Sequence, residues 1–379
     1  MMTMIYLDNA ATTAVHPDVL DAMMPYLTNG YGNASSIHAL GREAKAALQT
    51  ARERVALLIG AHPQELVFTS GGTESIHAAL YGTLLAGTGR RHVVTTALEH
   101  HAVLHTCAFL ESLGYSVTYV APREDGRIHP DDVASAVTAD TLLVSVMSVN
   151  NETGVILPVD EIAAAVKARD AAVLVHSDMV QALGTLRLQL DQRQVDLASF
   201  SAHKVHGPKG VGALYIRRGT PWRPVLHGGT QERERRAGTE NVAGIVGFGA
   251  AAERLRQHWD DHQRHVRQIR DVFWDMLSAR VPVERNGGEP SVPAILNVWF
   301  PGVRNDRLLM RLDLAGVAAS AGSACTAGSL EPSHVLQAMG YEVSRVHESL
   351  RFSFSDFTSE SDVRTAVQHI EEAVNALRR

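Results

Sequence analysis

From about residue 60 to residue 250 the chain alternates short apolar runs with amphipathic stretches. The runs at 66–69, 92–95, 116–120, 141–148, 173–176 and 195–199 read as strands, and patterns such as 161–169 between them repeat with helical period. Strands separated by helices pair in parallel and need both faces of the sheet covered. The alternation therefore predicts an α/β fold whose large domain is a mostly parallel, seven-stranded-type sheet flanked by helices. Ligands of such sheets bind in the crevice at the carboxyl ends of the strands. Past residue 250 a long charged helix over 251–279, a strand at 294–300, a helix at 305–314, a strand at 349–355 and a terminal helix predict a smaller α+β domain. The expected division is 15–250 for the large domain, with 1–14 and 251–379 forming the small one. The Pro/Gly-rich stretch 286–293 reads as a loop within it, and the chain carries no internal repeat.

With 379 residues, 45% of them hydrophobic and 20% charged, the chain can bury a large core and is not a disordered segment. A net charge of -6 without a polybasic patch argues against a dedicated nucleic-acid binder. The longest apolar stretches fall short of the roughly 18 residues of a membrane span. Residues 1–9 lack the basic and apolar regions of a secretory leader. A cytoplasmic protein without membrane contact is expected. Its two cysteines, Cys107 and Cys325, are too few for a disulfide framework or a thiolate zinc site and suit a reducing compartment.

Lys204 stands in Ser201-Ala202-His203-Lys204, between the apolar run 195–200 and the turn Gly207-Pro208-Lys209-Gly210. A lysine held at a sheet end can form an imine with an aldehyde cofactor. Asp178 closes another apolar run, 171–176, where a carboxylate can keep a pyridinium nitrogen protonated. Taken singly these are a surface lysine and a turn aspartate; together they suggest pyridoxal phosphate. Thr69-Ser70-Gly71-Gly72-Thr73-Glu74-Ser75 joins a strand to a helical run, so Gly72 and Thr73 offer backbone N–H groups and a helix N-terminus to a phosphate. The Gly-Lys-Ser/Thr ending of a P-loop is missing. Ser201, His203 and Thr239 are further candidate donors. His100 follows a strand, where an imidazole can stack on a flat heterocycle and shuttle protons. A metal reading of histidines 100, 101 and 105 is disfavoured, because their spacing is not that of a zincin helix. Gln181 is expected on the first turn of a helix after Asp178, its amide reaching a phenolate oxygen. Asn151 ends the run 141–148 and reads equally as a turn asparagine.

Cys325 lies in the run Ala319-Ser320-Ala321-Gly322-Ser323-Ala324-Cys325-Thr326-Ala327-Gly328-Ser329, whose small residues give little to anchor it in a core, so reactivity is the preferred reading. Cys107, on a helical pattern, reads as core filler. Arg351 alternates with apolar neighbours and is expected either to bind an α-carboxylate through its fork or to form a structural ion pair.

These segments resemble the cysteine desulfurases of the NifS/IscS type, within the fold-type I, class V aminotransferase group of pyridoxal-phosphate enzymes. The resemblance runs essentially the whole length and includes Tyr6-Leu7-Asp8-Asn9-Ala10-Ala11-Thr12-Thr13, Tyr31-Gly32-Asn33, Glu99-His100, Arg351-Phe352-Ser353 and the segments already quoted. It implies that Lys204 holds pyridoxal 5'-phosphate, that Asp178 partners the ring nitrogen and Gln181 the phenolic oxygen, and that His100 stacks and transfers protons. Gly72, Thr73, Ser201, His203 and, from a neighbouring subunit of a homodimer, Thr239 would cradle the phosphate. Asn151 would lie near the ring oxygen, Asn33 and Arg351 would bind the substrate carboxylate, and Cys325 would be the nucleophile that takes sulfur from L-cysteine. The spacing of 320–331 is similar to that of the long-loop subgroup, which hands sulfur to an acceptor or cluster scaffold protein. No structural metal is implied, with Cys325 at most a transient iron–sulfur ligand. Iron–sulfur cluster assembly or other sulfur transfer is the expected destination. Met179, Ala202 and Ile76-His77 depart from the family's usual residues, and ending at Arg379 puts docking to a standard scaffold in doubt. A selenocysteine lyase, an aminotransferase on the same fold and a silent sulfur carrier are the competing readings.

Overall fold

The structure, a computed structural model, describes residues 4–87, 89–322 and 332–378. Strand β1 (Ile5–Tyr6) leads to helices α1 (Pro17–Thr28) and α2 (Ala39–Ile59). The chain then runs through β2 (Leu66–Thr69), α3 (Gly72–Leu85), β3 (His92–Thr96), α4 (His101–Ser112), β4 (Ser116–Val120), α5 (Pro130–Ala136), β5 (Thr141–Ser145), α6 (Val159–Arg169), β6 (Leu174–Asp178), β7 (Leu197–Ser201) and β8 (Gly212–Ile216). Next come α7 (Gln231–Glu234), α8 (Val242–Gln257), α9 (Trp259–Arg280), β9 (Glu284–Asn286), β10 (Ile295–Trp299), α10 (Asn305–Leu314) and β11 (Val317–Ala318). After the undescribed interval 323–331, α11 (His334–Ala338), α12 (Val343–His347), β12 (Ser349–Ser353) and α13 (Glu360–Leu377) complete it.

Seven strands form one sheet in the order β2-β8-β7-β6-β5-β3-β4. The pairings from β7 to β4 are parallel, and only β8 runs antiparallel to both of its neighbours. The expected mostly parallel sheet is thus present. Every residue of β5, β6 and β7 is buried, because successive side chains point to opposite faces and both faces are covered. Leu143, Leu174 and Leu197 pack under α3 and α4, while their neighbours Val144, Val175 and Ala198 join the core beneath α2 and α8. Strand β8 escapes the strand-helix alternation: a short 3₁₀ turn and a loop join it to β7, so it pairs antiparallel without a crossover helix.

A second, antiparallel sheet has the order β12-β10-β9. Leu296, Val298, Leu350 and Phe352 from it meet Phe273 of α9 and Val363, Val367 and Ile370 of α13, a stripe at three- and four-residue spacing. A capping box between Ser359 and Asp362 starts α13. The long helix expected over 251–279 is two helices that break at His258, with φ -109° and ψ 19°. The break has a packing reason: Phe248, Ala252 and Leu255 of α8 belong to the first core, whereas Val266, Ile269 and Phe273 of α9 belong to the second.

The segment from Ile5 to Thr13 ties the two sheets together. β1 pairs in parallel with β11, and Asn9 Nδ2 donates to the Ser353 carbonyl at 2.9 Å while the Ala10 N–H donates to Ser353 Oγ at 2.8 Å. On the other side the Thr13 N–H donates to the His203 carbonyl at 2.9 Å, and Thr13 Oγ1 accepts from the His206 N–H at 2.8 Å. Residues beside Lys204 and residues of β12 are therefore fixed to one short strand of chain. Among the described residues no helix is long and apolar enough to cross a membrane.

Candidate active site

A cavity of about 290 Å³ opens at the carboxyl ends of the parallel strands, where the fold rule places it. Gly72, Thr73, His100, Asn151, Asp178, Gln181, Ser201, His203, Lys204 and Arg351 all line it. They come from the ends of five sheet strands and, through Arg351, from the second sheet.

Lys204 ends a 3₁₀ turn directly after β7. Its Nζ donates to the carbonyl oxygens of Ala10 and Ala11, the latter at 2.9 Å. Asp178 is the last residue of β6 and only 6% exposed. Its Oδ1 accepts from the Val180 N–H at 2.9 Å. Burial pushes its carboxyl up to about 6, against that hydrogen bond and the nearby Lys204 charge, which favour the anion. The helix expected to carry Gln181 is absent, since residues 180–185 form consecutive turns. Thr185 instead donates from Oγ1 to the Gln181 carbonyl, and the Gln181 amide donates to the Ala10 carbonyl at 2.9 Å.

His100 caps α4, its Nδ1 accepting from the Ala102 N–H at 3.1 Å. In the neutral ring that bond places the proton on Nε2. Burial first, then the Lys204 charge, lowers its pKa to about 4, so the imidazole is neutral at physiological pH. His203 is lowered to about 4 by the same two causes and shares a hydrogen bond with Thr12 Oγ1 at 3.1 Å. Gly72 begins α3 beneath the cavity. A Cβ there would stand 3.0 Å from Val180 Cγ2 and 3.8 Å from Ser201 Cβ, so glycine keeps this floor open at the helix N-terminus.

Arg351 forms a structural ion pair, one of the two alternatives expected of it. It is 2% exposed, Nη2 donates to Asp8 Oδ1 at 2.8 Å, and Nη1 donates to the Asn151 carbonyl at 2.8 Å. Its Nε lies buried without a hydrogen-bond partner, and the residue lines the cavity. Asp8 was visible in the sequence only as part of a motif, and its role as counter-charge needs the fold. Two buried acids were also missed. Glu99, beneath His100, is fully buried. Its Oε1 accepts from Thr96 Oγ1 and the Met147 N–H, its Oε2 has no partner, and burial pushes it up to about 8. Glu152, beside Asn151, is raised by burial as well.

Two candidates do not line this cavity. Asn33 is exposed, and its Oδ1 is spent on the Ser35 N–H at 2.8 Å, closing its own turn. Thr239 lines a separate cavity of about 140 Å³ with Ser70 and Arg236. Cys325 lies outside the described residues. Cys107 is fully buried in the core, as expected, and burial pushes its thiol up to about 12.

The donor set fits pyridoxal 5'-phosphate on structural grounds. A helix N-terminus with Thr73, Ser201 and His203 can hold the phosphate, Lys204 the aldehyde carbon and buried Asp178 the ring nitrogen. The family model for class-V aminotransferases matches residues 5–365. A cysteine desulfurase of Nostoc sp. is 46% identical over all of this chain and 94% of its own length. A putative cysteine desulfurase, IscS 1, of Bacillus subtilis is 46% identical over 99% of this chain and 100% of its own. A solved NifS-like protein superposes with a TM-score of 0.93 at 38% identity, covering 99% of this chain and 100% of that one. A structure described as SspA in complex with cysteine gives 0.83 at 34% identity over 93% and 99%. With its strand-end lysine and aspartate in place, this chain belongs to the class-V aminotransferase family of pyridoxal-phosphate-dependent enzymes.

Proposed function

We propose that the protein is a cysteine desulfurase that converts L-cysteine to L-alanine and leaves the sulfur as a persulfide on Cys325. The observation that carries the reading is the convergence of Lys204, Asp178, His100 and Arg351 on one cavity from separate strand ends. Bound there, pyridoxal 5'-phosphate supplies an aldehyde for the substrate amine and an electron-withdrawing ring. Arg351 would orient the substrate carboxylate, and Asp178 would keep a proton on the ring nitrogen. Lys204 would hold the aldehyde carbon, and its amine when free would take the Cα proton. Neutral His100 would move a proton at Nε2. The Cys325 thiolate attacks the substrate sulfur, the Cβ–S bond breaks, and the bonding electron pair stays on the carbon that becomes the alanine methyl after protonation. Conservation of atoms is complete: cysteine plus a thiol gives alanine plus a persulfide.

Several finer readings belong to the same proposal. Thr239 reaches a phosphate across a homodimer interface, a reading supported by its place outside this chain's own cavity and by the exposed apolar residues Leu20, Met24 and Leu27 on α1. The chain divides into a large domain, 15–250, and a small one, 1–14 with 251–379, supported by a second core of its own around Phe273 and Phe352. Residues 335–346 pack on the larger core all the same. Asn33 contacts substrate only once rearranged or brought from a second copy. The sulfur goes to an acceptor protein for iron–sulfur cluster assembly or other sulfur transfer in the cytoplasm.

The deciding experiment follows alanine and protein-bound persulfide from L-cysteine. Wild type forms both. Lys204→Ala forms neither and loses the absorbance change on adding cysteine, while Cys325→Ser keeps the absorbance change but yields no persulfide. Alanine formed at the wild-type rate by Lys204→Ala would overturn the assignment.

A further inference from the structure

Side chains of β12 alternate between two environments. Leu350 and Phe352 enter the second core, whereas Arg351 and Ser353 project from the other side onto the ribbon Ile5–Thr13. Arg351 Nη2 donates to Asp8 Oδ1 at 2.8 Å, and two residues further along both segments Ser353 Oγ accepts from the Ala10 N–H at 2.8 Å. The Ser353 N–H donates to the Leu7 carbonyl at 2.8 Å, and the Ser353 carbonyl accepts from Asn9 Nδ2 at 2.9 Å. Ser353 is 1% exposed, and its amide, carbonyl and hydroxyl are all bonded to residues 7–10. A hydroxyl so deeply buried needs a partner, and here the partner is a backbone amide 343 residues away.

Ala10 also touches the cavity. Its carbonyl accepts from Gln181 Nε2 at 2.9 Å and from Lys204 Nζ, and Lys204 Nζ donates as well to the Ala11 carbonyl at 2.9 Å. Further along, Thr13 closes the ribbon on the turn that bears Lys204, through the His203 carbonyl and the His206 N–H. The carbonyls of Ala10 and Ala11 therefore lie between two fixed points, Ser353 on one side and the 203–206 turn on the other. Each residue has only two soft torsions, so fixing the Ala10 N–H leaves its carbonyl little freedom.

We propose that Ser353 is a positioning residue: by fixing Ala10 it sets the carbonyl pair on which the Lys204 amine rests, and so holds that amine where it meets the aldehyde and the substrate Cα. The proposal rests on the reading of Lys204 as the residue that captures the aldehyde. In that capture the amine and the aldehyde give a C=N bond and one water. A lysine side chain left to itself samples many rotamers, and one held beside the cavity has that entropy already removed. The same strand end ties Arg351 to Asp8, so the guanidinium and the amine keep a fixed separation while both rungs hold.

Ser353→Ala tests it, with Ser353→Thr as the conservative rescue that retains an acceptor oxygen and Asn9→Ala as an independent cut of the same tie. Two ligands are compared on the full-length, cofactor-free protein. Pyridoxal 5'-phosphate, followed by absorbance, gives the rate of covalent capture at saturation. Pyridoxine 5'-phosphate, whose alcohol cannot be captured, gives the affinity of the site by calorimetry. Both alanine variants are expected to slow capture on the order of tenfold while binding the alcohol as wild type does, and Ser353→Thr should restore the rate. Capture at the wild-type rate in Ser353→Ala would overturn the proposal. So would an affinity for the alcohol that falls as far as the capture rate, because the damage would then extend to the whole site. Hydrogen exchange reads the tie without any substitution: an Ala10 amide that exchanged in the wild type as fast as an exposed one would sink the proposal even if both alanine variants failed to fold. Covalent capture at the wild-type rate by Lys204→Ala would instead overturn the reading of the lysine, and with it the purpose given to Ser353.

Discussion

Replacing Asp178 by asparagine makes the unliganded protein more stable while weakening its hold on the cofactor. The carboxyl is pushed from 3.8 to about 6 by burial, so at neutral pH the fold carries an anion that would prefer water. That rise is worth about 3 kcal/mol. The sign follows from proton counting. Between pH 3.8 and about 6 the folded chain binds more protons at this site than the unfolded chain, so stability falls as pH rises through that window and stays low above it. Asparagine has no such dependence. Cofactor-free Asp178→Asn should therefore be more stable than wild type by about 3 kcal/mol above pH 7 and by about half that at pH 5. Urea unfolding of both cofactor-free proteins across pH 5 to 8, followed by circular dichroism, measures the difference. With pyridoxal phosphate in excess the order should reverse, since a bound ring cation pairs the wild-type anion and stabilises only the folded state. An advantage of Asp178→Asn that did not change with pH, or no advantage at all, would refute the placing of a strained anion at this strand end.

Glu99→Gln keeps an acceptor for Thr96 and Met147 but cannot ionise; because burial raises Glu99 to about 8, wild type should lose about 1.4 kcal/mol per pH unit relative to the variant between pH 5 and 8, read as a growing gap in unfolding free energy. Gly72→Ala should weaken cofactor binding on the order of tenfold, about 1.4 kcal/mol, by driving a methyl against Val180, as equilibrium titration of the cofactor-free protein would reveal. Asp8→Ala strips the buried Arg351 of its counter-charge and should destabilise the fold by about 3 kcal/mol while raising KM for cysteine more than it lowers kcat, which thermal unfolding and steady-state kinetics would check.

Much of this was legible in the sequence because the strands that bear the site are apolar on both faces and stand out as runs. Those runs placed Asp178, Ser201 and Lys204 at sheet ends without any fold in hand. What remained hidden depends on partners far away in the chain. Nothing near Asp8 shows that its charge faces Arg351, and nothing near Glu152 shows that Ser333 donates to it. Strand β8 was missed because its direction is set by a turn rather than by a helix, and Gln181 was placed on a helix because a polar residue three positions past a strand end fits a helical first turn as well as it fits serial turns. The break at His258 left no mark either, since both helices are amphipathic and only their target cores differ.

The ribbon from Ile5 to Thr13 has a consequence for how the molecule comes into being. Ala10 and Ala11 give Lys204 its carbonyl partners, but the Ala10 N–H is itself pinned by Ser353, 343 residues away. Contacts of such sequence distance are made late, because the intervening chain must be ordered first. A ribosome-bound fragment can assemble the parallel sheet while its earliest residues still hang loose. The carbonyl partners of Lys204 are thus fixed in place only when the last strand has been made and docked.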